Sequence, residues 1–427
     1  MHEEQVPAEP VLLEPFGHTV GSDTRLSATW AEGLLLRSRG DDFAFRIGGR
    51  VQVDASGFTA GTGANLPPLD GGLNPPLTGA ANFRRARLRA GGRMYEVCDW
   101  ATEFDFANQL TTYNAAFPTL TGEGPLPAMK DLWLQIRGLP WLGTLRIGNQ
   151  KDPYGFEHAG DSRWLNFMER SFSMDAFEGP FNDGYLPGIQ VFNRAYDGRL
   201  AWYLGEFKNT ANPFGFADSS GGSETVGRLV ALPLFKDNGR QLLHLGISGR
   251  TMGLASLPTE IDPVTGRPTG PMIRAVRFRS RGSIRNGPPG PLNSIYADTG
   301  LLGADYQTLI TAEYASNWGP LQVQAEWTMT LMPKVRSALH PSANTGQQPF
   351  NTVVNNLFYQ GAYCEVMYAL TGEGRSYNRK QASLDRFVPR NNFFRVNTQD
   401  GIRTSEGAWQ IGVRYDWVCL NDKGING

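Results

Sequence analysis

No run in the 427-residue sequence approaches the roughly 18 consecutive apolar residues that a membrane-spanning helix needs, which excludes a helical membrane protein. The five histidines form no HExxH or triad spacing, and no GxSxG or dinucleotide fingerprint occurs. The three cysteines, Cys98, Cys364 and Cys419, are odd in number, far apart and without the spacing of a zinc site, and read as incidental. A basic excess is also missing: 40 basic residues face 41 acidic ones, for a net charge of −1, which argues against a nucleic-acid binder. The first twenty residues carry acids and prolines in place of a basic start and an apolar run, so no signal peptide is visible. Either the protein is not exported or its true start lies upstream of Met1. No catalytic group, cofactor or metal is expected.

What the sequence holds in quantity is glycine (51), proline (28) and aromatic residues (24 Phe, 14 Tyr, 10 Trp), a composition of many strands and turns. Residues 1–30 show no periodicity and are expected to be a flexible leader, with one barrel-like unit over 31–427. From Leu34 onward the pattern has period two. Phe45, Ile47, Val51 and Val53 alternate with Arg46, Arg50, Gln52 and Asp54; Leu321, Val323, Ala325, Trp327 and Met329 alternate with Gln322, Gln324, Glu326 and Thr328. Trp409, Ile411, Val413, Tyr415 and Trp417 repeat the pattern near the end. About fourteen such segments can be marked, several of them near the 9–11 residues with which a tilted strand crosses a bilayer.

Short turns such as 138–142 alternate with long Gly/Pro-rich stretches at 59–81, 108–129, 251–271, 282–304 and 331–356, the arrangement of a transmembrane antiparallel β-barrel. Such a barrel keeps apolar residues outside, so Phe45, Val51, Leu88, Phe278, Val323 and Trp327 are expected on the outer face. Residues 152–182 break the pattern. They read as a loop with one or two helical turns, Asp161 or Ser162 capping Trp164–Arg170. This loop either stays on the surface or folds into the pore.

Two files of arginine stand out. Arg85, Arg87, Arg89 and Arg93 share one strand face, and Arg277, Arg279 and Arg281 share another, opposite Val276 and Phe278. Columns of like charge repel and need a purpose. They fit a solvated outer face of a soluble sandwich or a cationic wall lining a lumen. Arginine suits the second use, because its guanidinium is always charged and presents paired donors to an oxyanion. Glu103 and Asp105 share a polar strand face and are expected to pair with these arginines.

In FRIGGRVQVDASGF, FRRARLRAGGRMYEVCDWATEFDFA, LRIGNQKDPYGFEHAGDSRWLNFMERSF, GIQVFN and RFRSR, collinear over residues 33 to 427, the chain resembles the phosphate-selective porin O and P family. The resemblance implies an outer-membrane barrel of sixteen strands, a homotrimer, and passive diffusion of phosphate, polyphosphate or other small anions through an arginine-lined constriction. It places Arg50, Arg84, Arg85 and the arginines of VRFRSR (Arg277, Arg279, Arg281) at that constriction, with Lys151 at the base of a loop beside it. Arg281-Gly282 stands where the family has Arg-Pro. With about fourteen strands marked, the chain reads as a fragment whose last strand ends near Asp416 without closing the seam. The implied partners are the anion, outer-membrane lipid and two further copies, with no nucleic acid. The rival readings are a secreted β-rich carbohydrate-active enzyme and a surface barrel that does not conduct.

Overall fold

The computed structural model of the protein describes residues 20–21, 25–57, 80–109, 127–178, 184–210, 222–254, 256–258, 272–282, 295–337 and 352–422. The long connections expected at 59–81, 108–129, 251–271, 282–304 and 331–356 fall largely outside them, as does most of the expected leader. The alternating segments are strands, and each period-two run becomes one wall strand because its apolar and polar residues can then be separated onto two faces.

The strands of the first half are β1 (Leu26–Trp30), β2 (Leu34–Ser38), β3 (Ala44–Ser56), β4 (Ala80–Met94), β5 (Cys98–Gln109), β6 (Pro127–Leu139), β7 (Gly143–Lys151), β8 (Tyr185–Ala195), β9 (Leu200–Lys208), β10 (Ser223–Lys236) and β11 (Gln241–Gly253). Five short pieces follow: β12 (Ser256–Pro258), β13 (Met272–Val276), β14 (Arg279–Arg281), β15 (Ile295–Asp298) and β16 (Leu302–Gly303). Then come β17 (Tyr306–Trp318), β18 (Leu321–Ser337), β19 (Thr352–Ala369), β20 (Arg375–Asn378), β21 (Ser383–Phe387), β22 (Val396–Thr398), β23 (Gly401–Arg403) and β24 (Gln410–Cys419). Between β7 and β8 lie α1 (Phe156–Ala159), a single 3₁₀ turn at Ser162–Trp164, and α2 (Phe172–Phe177). The helical turns fall just before and after residues 165–170: Asp161, one of the two expected caps, accepts from the Arg163 amide at the first, and Ser171 caps α2 by accepting from the Met174 amide.

Antiparallel ladders run without interruption from β1 through β11, then to β17, β18, β19 and β24. Among the described residues no ladder joins β24 to β1 or β2. One residue shows that this sheet curls into a barrel. Glu169, in the segment between β7 and β8, pairs through its carboxylate with Arg84 of β4 and through its carbonyl with Arg414 of β24. Those strands are eleven ladder steps apart, roughly 53 Å in a flat sheet at about 4.8 Å per strand. They share one residue only if the wall wraps around it.

Side chains sort as a membrane barrel requires. Val51, Leu88, Ile147, Ile189, Ile247, Trp327 and Val413 are exposed on the outer face, whereas Gln307, Glu313, Asn317, Gln322 and Glu326 are buried toward the inside. An apolar belt of this extent would aggregate in water and is stable against lipid. Tyr95, Trp141, Tyr196, Trp318, Tyr368 and Trp409 are exposed along the short-turn end and form the aromatic rim expected at a bilayer interface.

Two features depart from the simple tube. The connection from β19 to β24, at the short-turn end, carries the β20–β21 hairpin into the barrel. Arg228 donates to the Ala382 carbonyl at 2.8 Å, Tyr377 Oη lies 2.8 Å from His244 Nδ1, and Asn317 donates to the Arg375 carbonyl at 3.0 Å. The loop between β7 and β8 also folds inward, so the pore-entering alternative is the one observed. Tyr154 Oη meets Thr311 Oγ1 at 2.6 Å, and the amides of Phe156 and Glu157 donate to the Glu326 carboxylate. Gly361 of β19 lets α2 seat, since a β-carbon there would lie 2.8 Å from that of Ser173.

Candidate functional site

The inner face of β3 and β4 holds the first arginine file. Regular alternation would send Arg84 outward, yet both Arg84 and Arg85 are buried, because the ladder slips one residue between Gln52/Arg85 and Val53/Phe83. This β-bulge leaves Arg84 without an opposite residue and turns two successive guanidiniums inward. Both reach the inserted loop: Arg84 Nε pairs with Glu169, and Arg85 Nη2 lies 3.7 Å from the same carboxylate while its Nη1 donates to Gln52 Oε1 at 2.7 Å. Two arginines thus share one acid. Arg50 sits opposite Arg87 in the ladder and donates to Asp161 at 3.3 Å and to Ser162 Oγ at 2.7 Å.

Burial alone would raise the Asp161 carboxyl, but hydrogen bonds and charge from Arg163, with the charge of Arg50, override it and hold the group well below the usual carboxylate range. Asp161 is therefore ionised at neutral pH and offsets part of the local positive charge. Arg87 is matched as the sequence suggests, by Glu103 and Asp105, each at 2.7 Å. Lys151 donates to the carbonyls of His158 at 2.5 Å and Gly160 at 3.1 Å, so it holds the loop as well as contributing charge.

The second file differs from expectation. Residues 277 and 278 interrupt the strand, so Arg277, Arg279 and Arg281 do not share one continuous strand face, and β14 pairs with β15 in a separate small sheet. Phe278 is not on the outer surface. It is fully buried against Phe177 of α2 and Tyr359 of β19, because this segment folds against the inserted loop instead of completing the wall. Arg277 pairs with Asp298 at 2.6 Å, Arg279 lies opposite Asp298 in the β14–β15 ladder, and Arg281 grips Asp175 of α2 through both side chain and amide. Sequence periodicity could not show this, since the loop acids Asp161, Glu169 and Asp175 that bring the two arginine groups to one element lie far away in the chain.

Below Arg50, toward the short turns, a cavity of about 290 Å³ opens along β3 and β4. Arg37, Arg46, Arg50, Arg87, Arg89, Arg93 and Arg163 line it together with Glu32, Asp41, Asp99 and Glu103, a formal excess of three positive charges. Arg89 and Arg93 keep 45% and 31% of their side chains exposed and so remain accessible from the cavity.

The chain is 24% identical over 414 residues to Porin O of Pseudomonas aeruginosa, covering 92% of this chain and 76% of that protein. It is 25% identical over 392 residues to an uncharacterized protein of Caulobacter vibrioides, covering 90% of this chain and 63% of that one. Among solved structures, in-vitro folded OmpT of Vibrio cholerae matches with TM-score 0.36 and 12% identity, covering 88% and 98% of the two chains. The profile of the phosphate-selective porin O and P family matches residues 45–263 and 281–427. With the inward polar lumen and the lipid-facing belt, that match makes the chain an outer-membrane porin, a channel and not an enzyme, and it belongs to the phosphate-selective porin O and P family.

Proposed function

We propose that the channel passes small anions, phosphate first among them, through a constriction between the β3–β4 arginines and the inserted loop. The observation that carries this reading is the excess of arginine over carboxylate along the open cavity that leads away from Arg50. Arg50, Arg84, Arg85 and Arg87 form the wall side, Lys151 adds charge at the loop base, and Arg277, Arg279 and Arg281 supply it from the segment packed on α2. The paired acids have a use in this scheme. A fully uncompensated file would trap a phosphate, whereas arginines already shared with Glu103, Asp161 and Glu169 offer several modest sites in series, as conduction demands. Three copies in the membrane, as the family resemblance implies, complete the proposed assembly.

Neutralising Arg46, Arg89 and Arg93 together with Gln removes the cavity's positive excess without touching the loop contacts. The variant should keep wild-type conductance within about twofold, while its anion-over-cation permeability falls by roughly threefold or more, as expected for a change in charges lining a pore. Unchanged selectivity in planar bilayers would show that the cavity is not on the ion path.

A further inference from the structure

Where the inserted loop leaves and rejoins the wall, away from the arginine-lined cavity, Asp152 after β7, His158 at the end of α1, Glu178 after α2 and Glu224 on β10 meet in a site closed to solvent. Arg250 of β11 reaches all three carboxylates, with Nη1 3.3 Å from Asp152, 2.7 Å from Glu178 and 3.7 Å from Glu224. Three acids against the Arg250 guanidinium leave a formal charge of −2 among these four groups, offset in part by Lys151, whose ammonium holds the His158 carbonyl, and costly to bury without a further cation or protons. Donors are scarce there: Glu224 faces the Asp152 carboxylate and the Arg250 guanidinium without a protein N–H donating to either oxygen, and His158 Nδ1 makes no hydrogen bond, although both side chains are almost fully buried. His158 Nε2 lies 2.7 Å from Asp152 Oδ1, so imidazole and carboxylate already face one another. One donor atom from each of Asp152, His158 and Glu178 falls within 4.8 Å of the others, and His158 and Glu178 also border a cavity of about 20 Å³.

We propose that Asp152, His158 and Glu178 bind one divalent transition ion of the zinc class, with the Glu224 carboxylate as additional counter-charge. Two carboxylates and an imidazole suit such an ion better than the all-oxygen preference of calcium. Donors that all lie within 4.8 Å of one another are near the roughly 3.4 Å spacing of a tetrahedral zinc site. Asp152 and Glu178 stand at the two feet of the inserted loop, so the ion clasps its neck and fixes the constriction against the wall.

The test uses the full chain folded in detergent, stripped with chelator and titrated with Zn²⁺. The wild type should take up one zinc per chain and unfold at a higher temperature with zinc than without. His158→Asn should weaken binding by about tenfold or more, as loss of a ligand or its orienting partner does, while still migrating as a folded barrel. Glu224→Gln, which keeps the three ligands, should still bind, though less tightly. Failure of the wild type to bind zinc stoichiometrically, or equal binding by His158→Asn, would overturn the proposal and leave shared protons as the counter-charge.

Discussion

Replacing Asp161–Arg170 with a short Gly/Ser linker should raise single-channel conductance by roughly threefold or more, because the segment that crosses the lumen is removed while every wall ladder remains. The excised stretch carries Asp161, Arg163, Glu169 and Arg170, so it is formally neutral. Its loss leaves Arg50, Arg84 and Arg85 without the acids they now pair with. Anion preference should therefore survive, while block of chloride current by phosphate weakens, since the narrow place where several arginines can hold one oxyanion is gone. An unchanged conductance would mean that the loop does not set the width of the channel.

The second large effect is expected from Arg50→Glu. The new carboxylate would lie opposite Arg87 and beside Asp161, converting a shared positive site into an acidic pair. Anion-over-cation permeability should fall to about one or below. A hydrogen bond to a charged group contributes about 1.5–3 kcal/mol, so phosphate block should weaken by roughly tenfold or more. Arg50→Lys separates charge from geometry. It keeps the cation but loses the planar fork, and should retain selectivity while giving intermediate block. Equal phosphate block in the wild type, the Glu variant and the Lys variant would remove Arg50 from the binding site.

Much of this architecture is legible in the sequence for a simple reason. A wall strand with lipid on one side and a polar lumen on the other must alternate, and thirteen of the marked segments, from Phe45 to Trp417, lie on wall strands. Failures occur where regularity is broken. The bulge at Arg84 shifts the alternation by one residue, so counting by twos sends that side chain to the wrong face. At Arg277–Phe278 an apparently good strand is interrupted and recruited by the loop, which buries Phe278 against Phe177. Residues 370–409 give no strong period, because their short hairpins are stabilised by partners on the wall such as Arg228, His244 and Asn317 and not by a face of their own. Pairings such as Arg84 with Glu169 span 85 positions and follow only from the curled wall and the loop folded inside it.

We propose that the arginine excess makes this outer-membrane channel anion-selective and phosphate-binding. The most direct test is the zero-current potential of the wild-type channel across a potassium chloride gradient, followed by addition of phosphate to the same bilayer. A potential close to that of chloride is expected, with a chloride current that falls as phosphate is raised and recovers on washing. A potential close to that of potassium, or a chloride current indifferent to phosphate, would contradict it.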